Sequence, residues 1–381
     1  MQYSHEKSTI TNAPEAKNFP SKNVGAAARL VLRVAAATLV LAAAALSVGA
    51  ATAAAAGLWT SAAELRTRPM SGSAWTKMKA AADAPLGTPS IADQNSKHDT
   101  STLAVALVYA RTGNAAYRAK AANAITGAIG TEAGGRSLAL GRNLVSYVIA
   151  ADLIDLRSYD AAADARFRTW LRAVIRKVNS DGTTLIGTHE RRPNNWGTMA
   201  GASRIAADLY LGDATDLARA VQVFKGWLGD RTAYAGFSWG DLSWQANPTK
   251  PVAINPVGAV KAGHSIDGAL PDDMRRGCAF TWPPCYTDYP WGALEGALVQ
   301  AELLYRAGYD AYNWQNQALR RACDFLYRLD EEVGYWYGTA TSGDESWQPW
   351  IMNRRYGTRF PAASPTRPGK NMGWTDFTHG G

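Results

Sequence analysis

Apolar residues recur at spacings of three and four in seven stretches of the chain: residues 103–109, 138–156, 167–178, 205–211, 218–228, 294–305 and 318–329. That period places apolar side chains along one helical face, whereas strands need alternation. Alternating runs are scarce, so the pattern predicts an all-α domain. The helical stretches share a weak repeat. Leu107-Val108-Tyr109 leads to Gly113 and Tyr117, Leu209-Tyr210 leads to Gly212 and Asp213, and Leu304-Tyr305 leads to Gly308 and Tyr312. In each case an apolar helix ends near a tyrosine, a glycine supplies the C-terminal turn, and a new helix starts. The repeat predicts an (α/α) toroid or incomplete barrel of antiparallel helical hairpins, with an irregular helical domain as the alternative.

Two regions lack a helical period. Residues 234–256 carry Trp239, Gly240, Trp244, Pro248, Pro251 and Pro256, and read as a long loop of the kind that is usually functional. The tail from Gly338 onward is also loop-like and aromatic, with Trp347, Trp350, Tyr356, Phe360 and Trp374. At the other end, Lys22, Arg29 and Arg33 precede an apolar run over residues 34–56, and small residues at Ala54 to Ala56 suit a cleavage site. Residues 1–56 are therefore expected to be a leader. A signal peptide for secretion or periplasmic export is favoured, and an uncleaved membrane anchor is the alternative. Residues 57–381 are expected to form a single domain.

Composition narrows the class. Of 381 residues, 47% are hydrophobic and 19% charged, enough apolar content for a buried core and too much for a disordered chain. The formal net charge is +8; removing residues 1–56 takes away five basic and two acidic residues and leaves +5. A mild positive excess suits an acidic polymer without demanding one. No dense basic run, helix-turn-helix cue or zinc spacing points to nucleic acid. Nothing points to a protein partner, and a monomer is expected. Cys278 and Cys285 bracket a Phe-Thr-Trp-Pro-Pro turn and fit either a disulfide or two buried thiols. No Cys/His cluster has metal-ligand spacing.

The chemistry concentrates in one segment. His264, Arg275, Arg276, Tyr286 and Tyr289 fall within 26 residues. Phenol, imidazole and guanidinium together can remove a proton from carbon beside a carboxylate: tyrosine gives or takes a proton, histidine takes one, and arginine holds the growing negative charge. A phenol, with an ordinary pKa of about 10, suits the acid role at neutral pH. Upstream, Asn194-Asn195-Trp196-Gly197 enters a helix. Its amides can donate to a carboxylate, or one of them simply caps the helix. An inverting glycoside hydrolase would instead need a carboxylic acid pair, for which Asp241, Asp267, Asp272, Asp273 and Glu295 are available. A non-catalytic glycan-binding protein would rely on the tryptophan-rich loops.

Three blocks resemble the alginate lyase superfamily. They are Asn194-Asn195 before a helix, Leu270-Pro271-Asp272-Asp273-Met274-Arg275-Arg276-Gly277, and Tyr286-Thr287-Asp288-Tyr289 before another helix. Polysaccharide lyase family 5 carries an Asn-Asn-His block, a Leu-Pro…Arg-Gly block and a Tyr-His-Asn-Phe/Tyr block. The ending Asn353-Arg354-Arg355-Tyr356-Gly357, with Pro368-Gly369-Lys370-Asn371-Met372-Gly373-Trp374, is more similar to polysaccharide lyase family 38, whose members act on alginate or glucuronan. The resemblance spans roughly residues 95 to 376. It implies β-elimination on a β-1,4-linked uronate polymer, giving 4,5-unsaturated ends. Asn195 and Arg276 would neutralise the carboxylate, with Tyr286 as acid or as acid and base, and no metal or other cofactor. The sequence departs from family 5 in two places. Trp196 stands at the position of the catalytic His, and Trp282-Pro283-Pro284-Cys285 lengthens the gap from Arg276 to Tyr286. The base is therefore expected at His264, with Tyr289 and His189 in reserve. Asn194, Arg275, Tyr289, His189, His98, Trp239 and Trp244 are expected to bind substrate. Trp282, Trp291, Trp336 and Trp347 are further candidates for stacking on sugar rings.

Overall fold

The structure is a computed structural model and describes residues 57–334 and 343–380. The leader predicted over residues 1–56 and the stacking candidate Trp336 lie outside the described residues.

The described residues are almost entirely helical. The elements are α1 (Ala62–Thr67), α2 (Gly72–Asp83), α3 (His98–Thr112), α4 (Ala115–Ala128), α5 (Ser137–Leu153), α6 (Leu156–Tyr159), α7 (Ala161–Val174), α8 (Leu185–Arg191), α9 (Asn195–Leu211), α10 (Ala214–Leu228), α11 (Pro271–Met274), α12 (Tyr289–Arg306), α13 (Trp314–Val333), α14 (Gln348–Tyr356) and α15 (Thr375–Thr378). A two-residue antiparallel pair, β1 (Val260–Lys261) with β2 (His264–Ser265), is the strand content among the described residues. The fold is all-α, as the period predicts. The glycines of the repeat also behave as predicted. Gly113, Gly212 and Gly308 all have positive φ, and the Gly212 and Gly308 amides return to Leu209 and Tyr305. Those bonds satisfy carbonyls that a helix end leaves open.

Helices α3, α5, α9 and α12 form an inner row, with α3 against α5, α5 against α9, and α9 against α12. Nearly every residue of α5, α9 and α12 is buried, because each meets protein on both sides. Outer helices such as α7 and α10 bury one face only. Small residues set the inner spacing. A methyl group at Gly296 would lie 2.2 Å from the Thr198 carbonyl carbon, and one at Gly141 would lie 2.9 Å from the Ala200 nitrogen. Asn195 faces Gly292 while Thr198 faces Gly296, so α9 and α12 run parallel and start side by side.

The C-terminal segment ties these starts together. It is not the continuous loop that its composition suggests, because α14 and α15 form within it. The Trp374 indole donates to the Thr100 carbonyl in α3 (2.8 Å), Asn371 Nδ2 to the Gly141 carbonyl in α5 (2.8 Å), and Gln348 Nε2 to the Trp291 carbonyl in α12 (3.0 Å). The positive ends of several helix dipoles therefore gather on one side, a favourable place for an anion. Among the described residues no helix is long and apolar enough to cross a membrane.

Candidate active site

Asn194 and Asn195 divide the work at the start of α9. Asn194 is the N-cap: its Oδ1 accepts from the Trp196 amide at 3.2 Å and its Nδ2 donates to Asp272 Oδ2 at 2.8 Å. Asn195 is the first helical residue, and its Oδ1 accepts from Arg276 Nη1 at 2.8 Å. Among the described residues no acceptor engages Asn195 Nδ2, which leaves its donors for a ligand.

Asp272 and Asp273, at the start of α11, hold the two amides and two guanidiniums in register. Asp272 accepts from Arg275 Nε at 2.7 Å and from the Gly240 amide at 3.3 Å. Asp273 accepts from the Asn195 amide at 3.3 Å and lies 3.7 Å from Arg276. Burial and the adjacent Asp272 charge push the Asp273 carboxyl well above the usual range, against the pull of Arg276. These carboxylates support the site from behind rather than presenting a free acid pair. Glu295 is likewise buried, and Asp267 is paired with Arg321 at 2.6 Å.

The segment after Arg276 folds back on it. Cys278 and Cys285 form a disulfide, which settles the sequence alternatives and closes the Trp282-Pro283-Pro284 insertion into a loop. The closed loop returns the chain to its own start: a methyl group at Gly277 would lie 2.8 Å from the Cys285 carbonyl and 3.3 Å from that of Tyr286. The Tyr286 backbone thus lies beside Gly277, the residue after Arg276, despite the longer spacing, and Tyr286 is 55% exposed. The Tyr289 ring lies under the Arg276 guanidinium, with the carbon 3.1 Å from the ring centroid.

Other predicted residues sit elsewhere. His264 stacks on Trp282 with centroids 4.4 Å apart. It makes no hydrogen bond or ion pair to Asn195, Arg276 or Tyr286 among the described residues. His189 is buried against Arg204, and burial, then the Arg204 charge, drive its pKa well below the ordinary value. His98 Nδ1 lies 2.7 Å from the Tyr147 hydroxyl, and burial lowers its pKa. Trp239 is half-buried, whereas Trp244 is fully buried and donates to the Cys278 carbonyl at 3.0 Å. Trp291 and Trp347 are also fully buried and offer no face to a sugar. Trp282 remains half-buried beneath His264.

One cation escaped the sequence reading. Arg142 interrupts the apolar run of α5, and its Nε points at Met199 Sδ (3.4 Å), one turn along α9 from Asn195. It pairs with no carboxylate within 4 Å among the described residues, and burial is the largest influence on it, lowering its pKa. A lone arginine inside an apolar helical stretch was the available signal. Among the described residues, no group of three or more His, Cys, Asp or Glu could hold a metal ion.

No curated protein and no solved structure matches the chain. A family model described as alginate lyase matches residues 73–242, which run from α2 through α10 with Asn194 and Asn195 and stop before Arg276. This match supports assignment of the chain to the alginate lyase superfamily and indicates that it is a polysaccharide lyase.

Proposed function

We propose that the chain cleaves a β-1,4-linked uronate polymer, alginate of the mannuronate type or glucuronan, by β-elimination on an (α/α) toroid scaffold. The observation that carries this reading is the 2.8 Å bond from Arg276 to Asn195 Oδ1. It orients a cation and a free amide donor toward one place, beside two phenols. Arg276 and Asn195 Nδ2 take the C6 carboxylate and make the C5 proton more acidic, in the manner of an oxyanion site. Arg142 adds positive charge from the neighbouring inner helix. The Tyr286 phenol protonates the departing O4 as the C4–O4 bond breaks and the C4–C5 double bond forms. The C5 proton goes to Tyr286 acting as its phenolate before the acid step. His264, stacked against Trp282, fits that role less well. One phenol serving both steps needs the C5 hydrogen and O4 on the same face, which D-mannuronate and D-glucuronate present and L-guluronate does not.

The test is a panel of pure polymers scored by the ultraviolet absorbance of unsaturated ends. Polymannuronate or glucuronan should give absorbance, and polyguluronate little or none. Folded protein that releases reducing ends without absorbance would replace this reading with hydrolysis.

A further inference from the structure

The residue after Asn195 departs from the family-5 pattern, and its surroundings point to binding rather than proton transfer. Trp196 is an indole, a donor only, and cannot relay a proton. Its half-buried ring is flanked by two guanidiniums, with Arg192 4.6 Å and Arg136 5.6 Å from the centroid. Both arginines are exposed, and neither is paired with a carboxylate among the described residues. Arg136 donates to the neutral Gln94 Oε1 at 2.7 Å. Their backbones are held in place. Arg136 is the N-cap of α5, and Arg192 follows α8 with its carbonyl pressed against the first turn of α9, where a methyl group at Gly197 would approach to 1.8 Å. The two guanidinium carbons can be no more than about 10 Å apart.

We infer that Arg136, Trp196 and Arg192 form a second carboxylate subsite, which holds a uronate neighbouring the one engaged by Asn195 and Arg276. The inference rests on the uronate reading given above. An aromatic face fixes the plane of each guanidinium and leaves its N–H edges turned outward, the arrangement that recognises a carboxylate bidentately. A polymer with a carboxylate on every ring supplies one to each of the two subsites.

The experiment compares wild type with R136Q/R192Q in binding polymannuronate, read by tryptophan fluorescence at low and high salt, with a neutral β-1,4 gluco-oligosaccharide as control. The double variant loses two exposed charge contacts and should bind polymannuronate about tenfold more weakly. It should also lose part of the salt dependence, and the neutral ligand should not distinguish the two proteins. Unchanged polymannuronate binding, or equal losses for charged and neutral ligands, would overturn the subsite. The proposed reaction fails separately: wild type that binds polymannuronate through these arginines yet yields no unsaturated ends keeps the subsite and loses the elimination.

Discussion

The division between Asn194 and Asn195 shows how two identical side chains acquire different tasks. The N-cap position consumes Asn194, whose oxygen and amide are both engaged within the protein. The next position turns Asn195 toward Arg276 and leaves its Nδ2 donors unspent. The phenol that completes the site, Tyr286, is more than half exposed, and Tyr286→Phe keeps its ring and removes only the hydroxyl. Tyr286→Phe should therefore lower kcat by about 10²- to 10⁴-fold, the usual weight of a general acid–base group, with an unchanged melting temperature. His264→Ala should stay within a few fold of wild type. Kinetics on polymannuronate check both, and the reverse ranking would transfer proton abstraction to His264. The pair Asn195 and Arg276 was legible because each stands in a short block with a family resemblance. Arg142 was not, since its place depends on α5 meeting α9, a contact across 57 residues of sequence. The support from Asp272 and Asp273 was hidden for the same reason: sequence shows adjacent acids but not the asparagines they bind 78 residues away.

At the scale of elements, the outer helices were legible because a period of 3.6 is local and α7, α10 and α13 keep one apolar face for several turns. The glycine turns were legible because a left-handed residue at a helix end is a local demand. The tryptophans were not. Trp244 reads as a loop residue beside glycine and prolines, yet its indole is buried and bonded to Cys278, 34 residues on. Trp347 and Trp374 belong to a tail whose order comes from hydrogen bonds to distant helix starts, such as Trp374 to Thr100 across 274 residues. Local composition carries no record of such partners. The disulfide loop is an intermediate case. The two cysteines mark a possible staple, and only the fold shows that closing it returns Tyr286 to Arg276.

At the scale of the whole molecule, burial leaves several carboxyls with raised pKa values. Burial pushes Asp99 and Glu345 up to about 7, and burial with the Asp216 charge pushes Asp208 up to about 9. Glu302 goes the other way. Burial works to raise it, but the hydrogen bonds and charges of His379 and Arg355 outweigh that and hold it low. The unfolded chain releases carboxyl protons near pH 4, while the folded protein keeps those of Asp99, Glu345 and Asp208 to higher pH. Between those limits the folded state binds more protons, so stability falls as pH rises, by up to about 1.4 kcal/mol per pH unit for each group. Glu302 acts in the opposite sense only below its unfolded value, near pH 4. The buried His98, His189 and His379 have lowered pKa values and act in the opposite sense below about pH 6.5, so the melting temperature should be higher at pH 6.5 than at pH 8, measured by calorimetry at constant ionic strength. A melting temperature that climbs over that interval would mean these carboxyls are ionised in the folded protein.

The most direct measurement is a crystal structure of the Tyr286→Phe variant with a mannuronate tetrasaccharide. One sugar carboxylate should lie within hydrogen-bond distance of both Asn195 Nδ2 and the Arg276 guanidinium, with the residue-286 ring facing C5 and O4 of that sugar. A carboxylate bound away from Asn195 and Arg276, or a C5–O4 edge turned from residue 286, would contradict the account.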